Sequence, residues 1–294
     1  MTRVYSGHMT KLPIVREYKD AKGVDVSFYE WPVVNPKAVV QLVHGLGEHA
    51  MRYDHVAIAL NRAGYSVYAD DHRGHGVTGK RMRENGVTKR NGELGPGGMN
   101  ATYAQVHQLT QLIKGENPEV PVVLIGHSWG SMIGQWLINN HSADFDAAVL
   151  SASTILLPGI LPSGGFNKKW DQTPNKSGFE WLSRNEEIGH GFTKDPLNFT
   201  EAAITAFGAL EVLRLVRLPS RKIRKDLPLL LLAGSDDPIG GERGNKMLAN
   251  AYRRAGVTDL QVVIYHGGRH EMFNETNQDE VLKDLIIWLG AKFD

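Results

Sequence analysis

The sequence predicts an α/β protein with a mostly parallel central sheet, helices on both faces and an inserted segment. Three observations carry this. Continuous apolar runs at residues 38–43, 122–125, 147–151 and 229–233 have the pattern of strands buried on both faces of a parallel sheet. Between them lie stretches of helical periodicity, at 53–63, 102–114, 131–140 and 242–255, long enough to serve as crossovers between parallel strands. From residue 154 to 226 the alternation stops, so the chain divides into a core, residues 10–153 and 227–294, and an insertion, 154–226.

In chain order, residues 24–30 alternate and read as an edge strand ended by Trp31-Pro32. The strand at 38–43 runs into H-G-L-G-E-H, His44 to His49. The helix at 53–63 meets Gly64, which suits a C-terminal cap, and a strand at 66–69 leads into D-D-H-R-G-H-G. Helix 102–114, strand 122–125, helix 131–140 and strand 147–151 follow. After the insertion come strand 229–233, helix 242–255, strand 261–265 and a closing helix, 279–289. The opening, residues 1–9, is polar.

Composition narrows the function. With 33 basic and 32 acidic residues the net charge is +1, which supplies no electrostatic drive toward nucleic acid; a small-molecule partner is expected. The chain has no cysteine, so disulfide frameworks, thiolate metal sites and a cysteine nucleophile are excluded. It has no run of 18 apolar residues and no signal-like opening, from which a cytoplasmic protein is expected.

The segment P-V-V-L-I-G-H-S-W-G-S-M-I-G, residues 121–134, places Ser128 on the turn between a predicted strand and a predicted helix. On so sharp a turn the serine takes a strained backbone conformation, and Gly126 and Gly130 lack the Cβ that would collide as strand and helix cross. The hydroxyl is lifted above the sheet edge at a helix N-terminus, where free N–H groups favour developing negative charge. Such a nucleophile needs a neighbouring base, itself held in one tautomer by a carboxylate.

Sheets of this class set their sites at the carboxyl ends of strands. After the strand at 229–233 comes G-S-D-D-P-I, and after that at 261–265 comes H-G-G-R-H-E. Asp237, followed by the turn-forming Pro238, lies further into its loop than Asp236 and is favoured as the orienting carboxylate; Asp236 is left as a solvated or capping group. His270 lies in a glycine-containing loop able to reach across the sheet edge and is favoured as the base over His266, which sits at the strand end. For an oxyanion, the N–H groups of Trp129, after the serine, and of Leu46, in H-G-L-G, are the candidate donors.

Together, H-G-L-G-E-H-A-M-R-Y, D-H-R-G-H-G, G-H-S-W-G, G-S-D-D-P-I and H-E-M-F-N-E resemble the monoacylglycerol lipase and lysophospholipase branch of the α/β-hydrolase superfamily, which also holds the proline-iminopeptidase-like serine aminopeptidases. The match runs from about residue 24 to the C-terminus, apart from the insertion. It implies the α/β-hydrolase fold, with Ser128, Asp237 and His270 as catalytic triad and Leu46 and Trp129 as oxyanion hole. One departure is Trp129, where that family more often has methionine. The backbone donor survives the change, while the bulk of the ring bears on acyl-chain preference.

The resemblance also implies that residues 154–226 form a cap over the serine. Their content agrees. The apolar stretch I-L-L-P-G-I-L, residues 155–161, is broken by Pro158 and Gly159; Ile155, Leu156, Leu157 and Ile160 are candidate substrate contacts, together with Phe207. Thr200 is expected to cap a helix whose apolar face includes Ile204, Phe207, Leu210 and residues 212–216. Arg214, Arg217, Arg221, Lys222, Arg224 and Lys225 form a basic cluster, read as a solvated face or as a transient contact with an anionic membrane surface. Glu186 and Glu187 are the carboxylates that would hold a substrate ammonium.

The pairs His44–His49 and His72–His75 fall in loops that already have places in this scheme, and zinc needs three or four ligands, so no catalytic metal and no cofactor is expected. The reading is a serine carboxylic-ester hydrolase of monoacylglycerol, or of a related lysolipid or medium-to-long acyl ester. Its alternatives are a serine aminopeptidase, an acyltransferase, and a non-catalytic ligand receptor on the same fold.

Overall fold

The computed structural model describes residues 12–156, 165–170, 172, 174 and 176–294. In chain order the strands are β1 (Ile14–Lys19), β2 (Asp25–Trp31), β3 (Val39–Val43), β4 (Ser66–Asp70), β5 (Val122–His127), β6 (Ala147–Ser151), β7 (Leu229–Gly234) and β8 (Leu260–Tyr265). They form one sheet in the order β1-β2-β4-β3-β5-β6-β7-β8. β1 and β2 are antiparallel to each other and β2 is antiparallel to β4, while the pairs from β4 through β8 are parallel.

The core helices are α1 (Asp54–Arg62), α2 (Gly76–Glu84), α3 (Gly98–Glu116) and α4 (Trp129–His141). The insertion contributes α5 (Glu186–Lys194), α6 (Ala203–Phe207) and α7 (Ala209–Leu213); α8 (Gly241–Ala255) and α9 (Gln278–Phe293) complete the set. Why the central strands are almost continuously apolar follows from their two faces; the exception, Gln41 in β3, donates to the carbonyl of Val106 and accepts from the Thr110 hydroxyl. Val39, Val43, Leu124, Leu229 and Leu231 point into a core shared with α3, α4 and α8. Their neighbours Val40, Leu42, Val123, Ile125, Leu230 and Leu232 point into a second core under α1 and α9. Both faces are dry, so alternation vanishes from the sequence.

Three expectations need correction, and one helix was not foreseen. Residues 24–30 do not form the edge: β2 lies inside the sheet, and the edge is β1, whose I-V-R-E-Y-K sequence is largely exposed. α2 was not expected, because its G-V-T-G-K-R-M-R-E sequence buries only Met82 among large apolar side chains. The single helix expected after Thr200 is two short ones, parted at Gly208, whose φ of 91° and ψ of 154° are not helical. α6 starts after Ala202 with no side-chain cap, so Thr200 does not have the role expected of it.

Besides the bond from Thr258 N–H to the carbonyl of Lys225 (2.9 Å) at its C-terminal end, the insertion is tied to the core by backbone bonds at two places. Phe199 N–H donates to the carbonyl of Gly47 (2.9 Å), and the N–H groups of His270 and Glu271 donate to the carbonyls of Trp181 (3.3 Å) and Leu182 (2.7 Å). Side chains reinforce both: His49 Nε2 lies 2.9 Å from Asp195 Oδ2, and Arg269 donates to the carbonyls of Glu180 and Ser183.

Candidate active site

β5 delivers the chain to Ser128 and α4 carries it away. Ser128 has φ 53° and ψ −121°, a conformation that L-residues rarely adopt and that the surrounding packing must hold. Glycine is required on either side: a Cβ on Gly130 would run into the carbonyl oxygens of Val43 and His44, and one on Gly126 into the backbone of Gly130 and Ser131.

The loops after β7 and β8 bring two further side chains to this turn. His270 Nε2 lies 2.8 Å from Ser128 Oγ, and His270 Nδ1–H donates to Asp237 Oδ1 at 2.9 Å. All three residues are buried. Asp237 Oδ1 also accepts from the N–H of Ile239 (2.9 Å), which fixes the carboxylate within its own loop. The alternatives lie elsewhere: Asp236 pairs with Lys169 at 2.7 Å, and His266 is exposed. Burial would lower the pKa of His270, but the charge and hydrogen bond of Asp237 outweigh it and the net direction is upward from 6.5. The neighbouring His127, buried and facing His270, is pushed down to about 3 and stays neutral.

Ser128 opens onto a cavity of about 670 Å³, lined also by Leu46, Trp129, Leu156 and Phe207. Gly45, one residue before Leu46, comes so close that an added Cβ would stand 3.2 Å from that of Ser128. The remaining expected contacts fare differently. Ile155 is buried in the core beneath α4 and does not line the cavity, a correction that follows from its direct continuation of the strand-end packing. Leu157 and Ile160 lie outside the described residues.

Most of the cavity wall was not anticipated. Phe179, Trp181, Phe192 and Phe199 all come from the insertion, with the Trp181 ring 4.8 Å from the imidazole of His270. On the other side Trp129 packs 4.7 Å from Phe207 and stacks on His75 at 4.8 Å. Isolated aromatic residues in an irregular, polar stretch were the available signal, since each needs an apolar place to go.

Glu48 and Glu271 also face the cavity, and both are gripped by Arg52; its guanidinium meets the two oxygens of Glu271 at 2.8 Å each. Glu48 in turn accepts from Gly45 N–H (2.6 Å) and Tyr53 O–H (2.7 Å), and its burial raises its pKa. Glu186 and Glu187 are exposed at the start of α5 and do not line the cavity. The suspected histidine pairs do not converge as ligand sets. His44 Nδ1–H donates to Gly45 O, His72 Nδ1–H to Asp70 and His75 Nδ1–H to Arg73 O, while His49 bonds Asp195.

The sheet order, the crossovers and a Ser–His–Asp chain of hydrogen bonds at the strand ends define an α/β-hydrolase. More narrowly, the chain belongs to the family described as serine aminopeptidase, S33, which matches residues 34–277. It is 28% identical over 277 residues to a monoacylglycerol lipase of Mycolicibacterium smegmatis, covering 91% of this chain and 93% of that one. It is likewise 28% identical over 283 residues to the monoglyceride lipase of Mus musculus, covering 90% of this chain and 86% of the mouse protein. Among solved structures, a thermostable carboxyl esterase of Bacillus coagulans superposes with a TM-score of 0.81 at 24% identity, over 97% of this chain and 100% of that one. That last likeness is one of fold.

Proposed function

We propose that this chain is a serine carboxylic-ester hydrolase that cleaves monoacylglycerol, or a closely related acyl ester, through an acyl-enzyme. The observation that carries the reading is the 2.8 Å contact between Ser128 Oγ and His270 Nε2 at the edge of a large, aromatic-walled cavity. Ser128 attacks the ester carbonyl as His270 takes its proton. Asp237 holds the imidazole and stabilises its charged form, and the N–H groups of Leu46 and Trp129 receive the oxyanion. His270 then protonates the departing alcohol, and water activated by the same histidine releases the acid. The names of the M. smegmatis and mouse relatives support glyceride as the alcohol portion.

Residues 154–226 act as the cap in this reading. Their aromatic side chains suit an acyl chain, whose burial contributes about 0.8 kcal/mol per methylene. Ile204, Leu210 and Leu213, all more than half exposed, give the cap an apolar outer surface suited to transient contact with lipid aggregates. Of the basic cluster only part is open for that purpose, because Arg217 stacks on Tyr103 and Lys225 donates to the carbonyls of Arg221 and Ala255. No helix among the described residues is long and apolar enough to cross a membrane; a cytoplasmic location belongs to the same proposal.

The test is release of fatty acid from monoacylglycerols of short to long chain beside cleavage of aminoacyl anilides. Ester cleavage with a chain-length optimum is expected. Anilide cleavage without ester preference would replace this reading by the aminopeptidase one, which the exposed positions of Glu186 and Glu187 do not favour.

Two further results are expected. Because His270 accepts a proton only when neutral and Asp237 raises its pKa, kcat/KM should climb with pH through an apparent pKa above 6.5 and then level. Asp237→Asn removes the raising charge, so the residual activity, lower by roughly 10⁴, should have its limb shifted to lower pH. A pH–rate profile of both proteins decides it, and a limb in the same place for the two would exclude the assigned pairing.

Trp129→Met exchanges a ring packed between His75 and Phe207 for a slimmer, adaptable side chain while keeping the backbone donor. The preferred acyl chain should lengthen, each extra methylene accommodated lowering KM about fourfold, with kcat little changed. Rates across a chain-length series check this; a large fall in kcat at unchanged preference would contradict it.

A further inference from the structure

Away from the serine, one cluster of ligand-type side chains has no part in the scheme above. His107 stands on α3, His141 is the last residue of α4, and Asp144 lies in the single 3₁₀ turn that follows, residues 142–144. One ligand atom from each lies within 4.8 Å of the other two. His107 Nε2 and Asp144 Oδ2 are 2.9 Å apart, and the two imidazoles stack with their centroids 3.8 Å apart. We propose that His107, His141 and Asp144 form a binding site for a borderline divalent transition-metal ion, zinc foremost, distinct from the hydrolytic centre.

The donor set selects the ion. Two imidazole nitrogens and one carboxylate oxygen suit zinc and its neighbours, whereas calcium and magnesium require mostly oxygen ligands. Water completes the shell, which is accessible because all three side chains are only half-buried. Atoms that share a tetrahedral zinc at bonds of about 2.0–2.2 Å stand roughly 3.3 Å apart, so the 2.9 Å pair needs a small expansion and His141 a small approach. The ion takes the place of the proton now shared by His107 and Asp144.

The surroundings orient the carboxylate for that exchange, against the opposing charge of the Lys114 ammonium. Lys114 Nζ holds the other carboxylate oxygen, Asp144 Oδ1, at 2.8 Å, which fixes the group and leaves Oδ2 turned to the histidines. This is the orienting role that second partners play around ligating carboxylates. The Gln111 amide donates to Oδ2 at 3.0 Å and stands 3.1 Å from His107 Nε2, so it must swing aside or stay as an outer partner. The Trp136 ring, 5.2 Å from that of His141, closes one side. An ion here would bind α3 to the C-terminal end of α4, the opposite end of that helix from Ser128, about 20 Å away at 1.5 Å per residue. The sequence expectation of no metal concerned the loops beside the serine; this cluster escaped it because α3 and α4 bring the residues together only in the fold.

The test is calorimetric titration of the full chain, freed of metal by chelator, with zinc chloride, beside His141→Gln and Asp144→Asn, and with Co²⁺ absorption as a readout of coordination. The wild type should bind one ion with a dissociation constant in the micromolar range or tighter, show intense visible Co²⁺ bands, and unfold at a higher temperature with zinc. Each variant should bind about tenfold or more weakly while hydrolysing ester at the wild-type rate. Absence of saturable one-to-one binding by the wild type would overturn the proposal without any variant having to fold. Unchanged affinity in His107→Gln/His141→Gln would overturn it as well, assigning the ion to another histidine and leaving this cluster an ion pair with a stacked ring.

Discussion

Replacing Ser128 by alanine is expected to lower kcat for a monoacylglycerol by roughly 10⁴- to 10⁶-fold, with the fold and the binding of the acyl chain retained. The hydroxyl makes the 2.8 Å contact with His270 Nε2 on which the proposed mechanism rests. Alanine shares the β-carbon that the turn already accommodates at φ 53°, so it adds no steric conflict of its own. What remains should be the modest acceleration due to the oxyanion donors and to binding. Rates of fatty-acid release, with circular dichroism to verify the fold, check this; a variant keeping more than a few per cent of activity would remove Ser128 from the mechanism.

The second large effect lies beside the site. Arg52→Met should cost about 3–5 kcal/mol of stability, because it strips two buried carboxylates of their shared cation. Glu48 and Glu271 are each only 2–3% exposed at the side chain, and Arg52 at 11% is their counter-charge. The guanidinium also lies over the Phe192 ring, 5.0 Å from its centre, so the insertion loses a support too. Denaturant unfolding gives the magnitude. A partial return of stability in Arg52→Met/Glu48→Gln would show that the penalty comes from the stranded charge; a cost below about 1 kcal/mol would mean that water solvates the pair. Activity should fall as well, since Glu48 holds the N–H of Gly45 and Glu271 follows His270 directly.

These two residues differ in how far the sequence announces them. Ser128 stands in a motif whose glycines have a local reason, so strand, turn and helix can be read together. The central parallel strands were equally legible, since two dry faces leave nearly unbroken apolar runs. β1 was not, because an edge strand with exposed Ile14 and Val15 has no buried face to impose a period. The insertion was read least well. Its apolar spacing suggested one helix, but Gly208 divides it and leaves Ile204, Leu210 and Leu213 in contact with solvent. Arg52 appeared only as one letter of H-G-L-G-E-H-A-M-R-Y, with no role read from it: its importance comes from Glu271, which the fold brings to it from the far end of the chain.

The carbonyls of Trp181 and Leu182 have a meaning for descent and for engineering alike. They belong to the segment expected to vary with substrate, yet they receive the N–H groups of His270 and Glu271. Under the proposed function, specificity and reactivity are therefore not separable modules. Grafting residues 154–226 from a relative would transplant part of the seat of the histidine together with the new acyl wall. A chimera that retains residues 180–184 with their bonds to Arg269 and Glu275 could exchange α5 to α7 while the imidazole stays where Ser128 needs it.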